Sequence, residues 1–330
     1  YFEGTPMSNN HDHADALQVL FDAEDSPLLT DDGYGPEKFS ARDAWASATR
    51  HNVVTKLVSG QDVALGDPTP SRHVLDTSFF RCAEKEAGFV DAPATDRVRR
   101  LVALVGDDYL AVVDQVAGAT SHTWQTRWHG RGTLSGSGQS WTWTTPPGSV
   151  WGQAAELHAL LLPGASVAAT PDAPTFNPYQ STLENRPSLL VTSTGTGALN
   201  LALFSPSAVG PDDDAALAPR SVAGAGIAAQ FSRAGHRDRW LVATTAGPLT
   251  DGDFEADARL AWWRAAADTG TLRQFAVVDG TAVRDAGVTL FAASRAVTAA
   301  VELSAAAKTE ITLANDTAVS ALTLTLPLPA

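Results

Sequence analysis

The chain has 330 residues, 44% of them hydrophobic and 18% charged, enough to bury a core and typical of soluble globular proteins rather than disordered ones. A formal net charge of −14 excludes the basic surface that nucleic acid requires, and no apolar run is long enough for a membrane-spanning helix. The single cysteine, Cys82, excludes an intrachain disulfide framework and a cysteine-based metal site, and reads as a buried structural thiol.

Tyr1-Phe2-Glu3-Gly4 is neither an initiator methionine nor a signal peptide, so the chain reads as a fragment or excised domain. His11-Asp12-His13-Ala14-Asp15 follows, and Leu17, Val19 and Phe21 then alternate with Gln18 and Asp22, the period of a half-buried strand over 16–23. Ser26-Pro27 is expected to turn the chain into a strand at 28–30. The glycine- and proline-bearing segment 32–38 reads as a loop, 42–48 as a helical turn, and His51-Asn52-Val53-Val54 as the start of the next strand.

Strands continue over 74–89 and 98–116, the second cut by Gly106-Asp107-Asp108 into a hairpin of 101–105 and 109–113. Both arms are apolar at nearly every position, as where both sheet faces are covered. Next come 121–130 and 140–145, where Trp141 and Trp143 share a face. Between them, 132–138 reads as a glycine-serine turn, since neither serine has the flanking glycines of a hydrolase nucleophile elbow. Further strands are predicted at 157–162, 189–194, 198–205, 228–232, 240–244, 260–265, 272–278, 298–304, 309–313 and 321–328, the last an edge strand with prolines. Short strands at this spacing predict an all-β fold, a large antiparallel β-sandwich over 1–330. Three consecutive aspartates within 210–215 mark an exposed loop and a candidate sub-boundary near 210–220.

The polar ends of the first strands carry the chemistry. His13, Asp31 and His51 offer the nitrogen and oxygen ligands that zinc accepts in a tetrahedral shell, with Asp32 as an alternative to Asp31. Strand alternation puts His11 on the same side as His13, so one imidazole could hold a metal while the other faces a substrate. The competing reading is three separate strand-end histidines, each satisfied by backbone. Arg42, Arg50, Arg72, Arg127 and Arg131 could gather into a cationic focus on an otherwise acidic chain.

These residues resemble the C-terminal β-sheet part of heparinase II/III-like polysaccharide lyases. The similarity is carried by His11-Asp12-His13-Ala14-Asp15, by Leu28 to Gly33, by His51-Asn52-Val53-Val54, and further on by Tyr109 to Asp114, His122 and Trp128-His129-Gly130. The resemblance implies a structural zinc on His13, Asp31 and His51, His11 beside the uronate, Tyr34 as a second catalytic group, and His129 with Arg127 near the cleft. It implies an acidic polysaccharide or oligosaccharide as partner, and secretion or a periplasmic place for the full-length protein. The segment between Asp31 and His51 is shorter than the family pattern, and Asp32 stands where proline is usual.

The first functional reading is therefore part of a lyase that cleaves uronic-acid polymers by β-elimination: the uronate carboxyl is neutralised, a base takes the C5 proton, and the 4-oxygen leaves with a proton. Such lyases also use an upstream helical toroid as partner, so turnover by this chain alone is not expected. The alternative is a non-catalytic carbohydrate-binding or structural β domain, in which the nine tryptophans serve sugar stacking or core. A metal-dependent hydrolase, with Asp15 or Asp32 as base, ranks last.

Overall fold

A computed structural model describes residues 13–31, 47–91, 95–145, 153–163, 166–177, 182–209, 215–233, 235–245, 247–303, 309–314 and 323–325. Glu24 and Asp25 both take φ of 52°, which suits the twist of a two-residue hairpin turn, and they join β1 (Phe21–Ala23) to β2 (Ser26–Leu29). Ser26-Pro27 thus lies inside a strand instead of forming the turn. Leu17 has φ of 65°, which no extended strand accommodates, so the strand expected over 16–23 shrinks to its last three residues.

After a single 3-10 turn at Ala48–Arg50 come β3 (Val54–Val58), β4 (Gln61–Val63), β5 (Leu65–Pro68), β6 (Arg72–Asp76), β7 (Arg81–Phe89), β8 (Arg97–Val105), β9 (Tyr109–His129), β10 (Thr133–Ser137), β11 (Ser140–Thr145), β12 (Ala155–Leu162), β13 (Val167–Asn177) and β14 (Thr182–Ala208). The chain continues through β15 (Ala216–Arg220), β16 (Gly226–Arg233), β17 (His236–Ala243), β18 (Pro248–Asp251), β19 (Phe254–Ala266), β20 (Leu272–Asp285), β21 (Val288–Leu303), β22 (Thr309–Ala314) and β23 (Leu324–Thr325). The architecture is all-β, of the large antiparallel β-sandwich class. The chain divides into one unit of Tyr1–Pro70, Lys85–Val102 and Tyr109–Pro211, and a second of Ser71–Glu84, Ala103–Asp108 and Asp212–Ala330.

In the first unit the main sheet follows the order β10-β11-β12-β14-β9-β8-β7-β5. Its longest ladder runs from Ser188 opposite His129 to Phe204 opposite Leu110. Two pairs of expected strands are therefore continuous: 109–113 with 121–130, and 189–194 with 198–205. Gly195 to Gly197 is a register shift within β14, a bulge that bends the strand without ending it. The 132–138 segment is likewise a strand, β10, paired residue for residue with β11. The tight turn lies beyond it, where Gly138 has φ of 59°.

Val19, Leu28 and Leu29 pack with Trp128, Trp143, Leu157, Leu189 and Phe204 in one core cluster, which fastens the β1–β2 hairpin to the sheet. Trp141 packs against the same cluster, so the two tryptophans do share a face. Gly130 explains its own identity: a Cβ there would lie 2.4 Å from the Trp143 indole. The close approach of that ring to the backbone is possible only at glycine.

The second unit carries the sheet β15-β16-β17-β19-β20-β21-β22. Phe80, fully buried, sits 5.9 Å from the Trp240 ring and 5.2 Å from Trp262. Trp263, one residue on, points the opposite way into a cluster with Phe254, Phe275 and Phe291. Both faces of β17 and β19 are covered within this unit, which is why adjacent tryptophans can both be buried. Asp108 is clamped by Arg264 Nη2 at 2.7 Å, Arg233 Nη1 at 3.3 Å and His236 Nε2 at 3.4 Å. Of the expected strand at 321–328, β23 is the part within the described residues.

Candidate functional site

Asn52 is the joint of the first unit's candidate site. It is fully buried; its Nδ2 donates to the Val19 and Thr30 carbonyls at 2.9 Å each, and its Oδ1 accepts the His129 backbone N–H at 2.6 Å. One amide side chain thereby joins the segment before β1, the segment after β2 and the end of β9. Thr30 N also donates to His129 O at 3.0 Å. The chain ends bearing His13, Asp31, His51 and His129 are brought together by these bonds.

A second anchor lies behind them. Arg100 on β8 is fully buried, and its guanidinium grips Asp114 with two bonds, Nε to Oδ1 at 2.6 Å and Nη2 to Oδ2 at 2.8 Å. Its Nη1 donates to Leu17 O at 2.8 Å and Asn52 O at 2.5 Å. The left-handed Leu17 and the His51-Asn52 segment are thus tied to the sheet by one cation whose charge Asp114 neutralises.

On this frame the His13 and His51 rings lie 5.1 Å apart between centroids, tilted by 43°. Asp31 Oδ2 is 3.9 Å from His51 Nδ1 and accepts Gln18 Nε2 at 3.3 Å. Two imidazoles on one tetrahedral zinc, each bound at about 2.0–2.1 Å, would have ring centroids about 5 Å apart, so the histidine spacing suits a shared ion. The donor atoms of such a shell lie about 3.4 Å apart, closer than Asp31 now stands to His51. Among the described residues no three His, Cys, Asp or Glu groups already lie at metal-holding distances. The chemistry of the donor set and the paired imidazoles fit zinc, with an inward shift of the Asp31 carboxylate needed to complete the set.

His11, Asp32 and Tyr34 lie outside the described residues, as does Arg42. His129 is 4% exposed at the end of β9. Arg127 Nη2 is 3.6 Å from Asp62 Oδ2 and donates to Gln125 Oε1 at 3.3 Å. Arg50 and Arg131 belong to this unit and Arg72 to the other.

Farther along the same strands, Lys56 on β3 is 2% exposed and makes 2.9 Å contacts to both Asp91 and Asp96. Burial alone would lower the Lys56 pKa, but the two carboxylates outweigh it and leave it raised. Asp96, which burial would raise, is held below its ordinary value by Lys56, the Ala119 N–H and His122. His122 Nε2 lies 3.1 Å from Asp96 Oδ2, so that histidine belongs to this cluster. Sequence reasoning passed over Arg100, Lys56 and Asp96, although a cation inside an otherwise apolar strand signals a buried partner.

The family described as heparinase II/III-like, C-terminal, matches residues 3–198, more than half of the chain. No curated protein sequence matches. Among solved structures, the chain is similar to a mutant heparan sulfate lyase HepC from Pedobacter heparinus, with TM-score 0.56 and 10% identity over 70% of this chain and 37% of that one. A heparinase III, the BT4657 gene product, gives TM-score 0.54 and 13% identity over 70% and 37%. Another heparinase III gives TM-score 0.52 and 11% identity over 69% and 36%. The chain thus spans little more than a third of the length of these structures.

Proposed function

Because this chain belongs to the heparinase II/III-like C-terminal family, we propose that it forms the β part of a polysaccharide lyase cleaving uronic-acid-containing polymers by β-elimination, working with a helical toroid. The observation that carries this reading is the convergence of His13, Asp31 and His51 on the Asn52 joint, within the region the family matches. His11, two residues before His13, is the group proposed to face the uronate, neutralising its carboxyl or relaying a proton near neutral pH. Tyr34 is proposed as the second catalytic group, and Arg127 with His129 as contacts for the acidic chain. A secreted or periplasmic setting goes with this reading. No helix among the described residues is long and apolar enough to cross a membrane.

Zinc, held by His13, Asp31 and His51, would supply a fixed charge that fastens the chain segment bearing His11 to the sheet. His51, fully buried, would orient the set, and Gln18 would steady Asp31 through their hydrogen bond. Metal analysis of the dialysed chain is expected to find about one zinc per chain, lost in His13→Ala; none in either would remove the metal from this account.

The test of function is depolymerisation of a panel of uronans by the chain together with its toroid, followed by the ultraviolet absorbance of the unsaturated product. Product from at least one uronan is expected. If the same protein binds uronans and cleaves none, the chain is a carbohydrate-binding module.

A further inference from the structure

The second unit holds a recess of about 230 Å³, outside residues 3–198 and assigned no role above. It is smaller than the ~300–1,000 Å³ typical of pockets for drug-sized ligands, which limits it to one small ring or less. Arg237 and Arg239 stand two apart on β17 and so project from one face roughly 7 Å apart, opposite Ala265 and Trp263 of β19. Arg220 reaches the same recess from β15.

These cations are held in place. Asp251, 3% exposed, takes Arg220 at 2.9 and 3.2 Å and lies 3.5 Å from Arg239. The Arg239 guanidinium also lies 5.5 Å above the Trp263 ring, whose other neighbour is the stacked Phe254. Arg237 is exposed and donates to Ala267 O at 2.5 Å. One buried carboxylate thus serves two guanidinia while a third stands beside them. Burial lowers the Arg239 pKa and the neighbouring Arg220 and Arg237 add to that, while Asp251 and Asp285 work against it. Two more carboxylates, Asp253 and Asp285, line the recess. Burial raises Asp285, and the charge of Asp253 adds to that.

We propose that this recess binds a small sugar acid, with its carboxylate on Arg237 and Arg239 and its ring hydroxyls on Asp253 and Asp285. Planar guanidinium forks match a carboxylate, and carboxylate oxygens accept from hydroxyls. A simple anion would leave the aspartates facing it, and a neutral sugar would bring no carboxylate to the arginine forks. The site is distinct from the proposed lyase cleft and does not depend on it.

The whole chain is titrated with sodium glucuronate, glucose and sodium acetate at constant ionic strength, by calorimetry or NMR. Glucuronate is expected to saturate in the millimolar range, with glucose and acetate at least about tenfold weaker. Arg239→Gln should abolish binding but also loosens the Asp251 contacts, so exposed Arg237→Gln and Asp253→Asn are the deciding variants, each about tenfold weaker than wild type. Arg237→Gln and Asp253→Asn, both in the other unit from the proposed lyase cleft, should leave uronan cleavage unchanged, which separates this outcome from that of the lyase assay. No saturation, acetate binding as tightly as glucuronate, or wild-type affinity in both deciding variants would overturn the proposal.

Discussion

Replacing Arg100 with methionine keeps most of the side chain's length while removing its charge and every donor. In the native chain that guanidinium makes two bonds to Asp114, which is 1% exposed, and one each to the Leu17 and Asn52 carbonyls. Removing one partner of a buried pair costs about 3–5 kcal/mol, because the other charge stays buried without compensation. The two carbonyls add to this, though not additively, and about 4 kcal/mol is a conservative value. For a unit of this size that lowers the melting temperature by about 10 °C, measurable by tryptophan fluorescence since Trp124, Trp128 and Trp143 are all buried in the same unit. The double variant Arg100→Met with Asp114→Leu should recover most of the loss, because apolar pairs often replace buried ion pairs at little cost. A single variant melting within about 2 °C of wild type, or a double variant as damaged as the single, would refute the role assigned to this pair.

Asp108 makes stability depend on acid. Burial tends to raise its pKa, but His236 and Arg264 outweigh that and hold it far below the usual carboxylate range, so its stabilisation is full above the unfolded value of about 3.9 and is lost as pH falls below it. Asp108→Asn should cost about 2 kcal/mol at pH 6, and the gap in melting temperature from wild type should close as the pH is lowered below about 4; a gap constant across that range would contradict the clamp. Cys82 is 5% exposed, its thiol donates to His73 O at 3.1 Å, and burial pushes its pKa up to about 12. It should stay unmodified by a thiol reagent at pH 8 until the chain is unfolded, and rapid native labelling would show the site to be open.

Much of the strand pattern could be read from the sequence because period-two alternation and turn residues are local signals. The hairpin around Gly106-Asp107-Asp108 is an example: β8 ends at Val105 and β9 starts at Tyr109. Counting back from that turn sets Arg100 opposite Asp114, so even the buried ion pair was present in the sequence as two charges in apolar arms. Leu17 misled because it is the third residue of a tight turn closed by Gln18 N donating to Asp15 O at 2.8 Å, a position that takes a left-handed backbone, and its carbonyl is then held by Arg100, while the alternation around it looks like a strand. The 132–138 segment misled in the opposite sense: its glycines suit a turn, but the ladder to β11 uses backbone groups that composition does not reveal. The triple of His13, Asp31 and His51 was visible as residue types, whereas Asn52, which draws their segments together, works through three backbone partners far away in sequence. The arginine recess had no sequence signal, since its cations come from β15 and β17 and its aspartates from the ends of later elements.

The claim that the chain supplies the histidine-bearing face of a uronan lyase is tested most directly by measuring kcat and bound zinc together, in protein carrying the helical toroid, for His11→Ala and His13→Ala. The account predicts that His11→Ala keeps its zinc and its melting temperature while kcat falls by roughly two orders of magnitude. His13→Ala should lose both zinc and stability, because a lost ligand removes binding energy that is also folding energy. Full activity in His11→Ala, with or without its zinc, would contradict it.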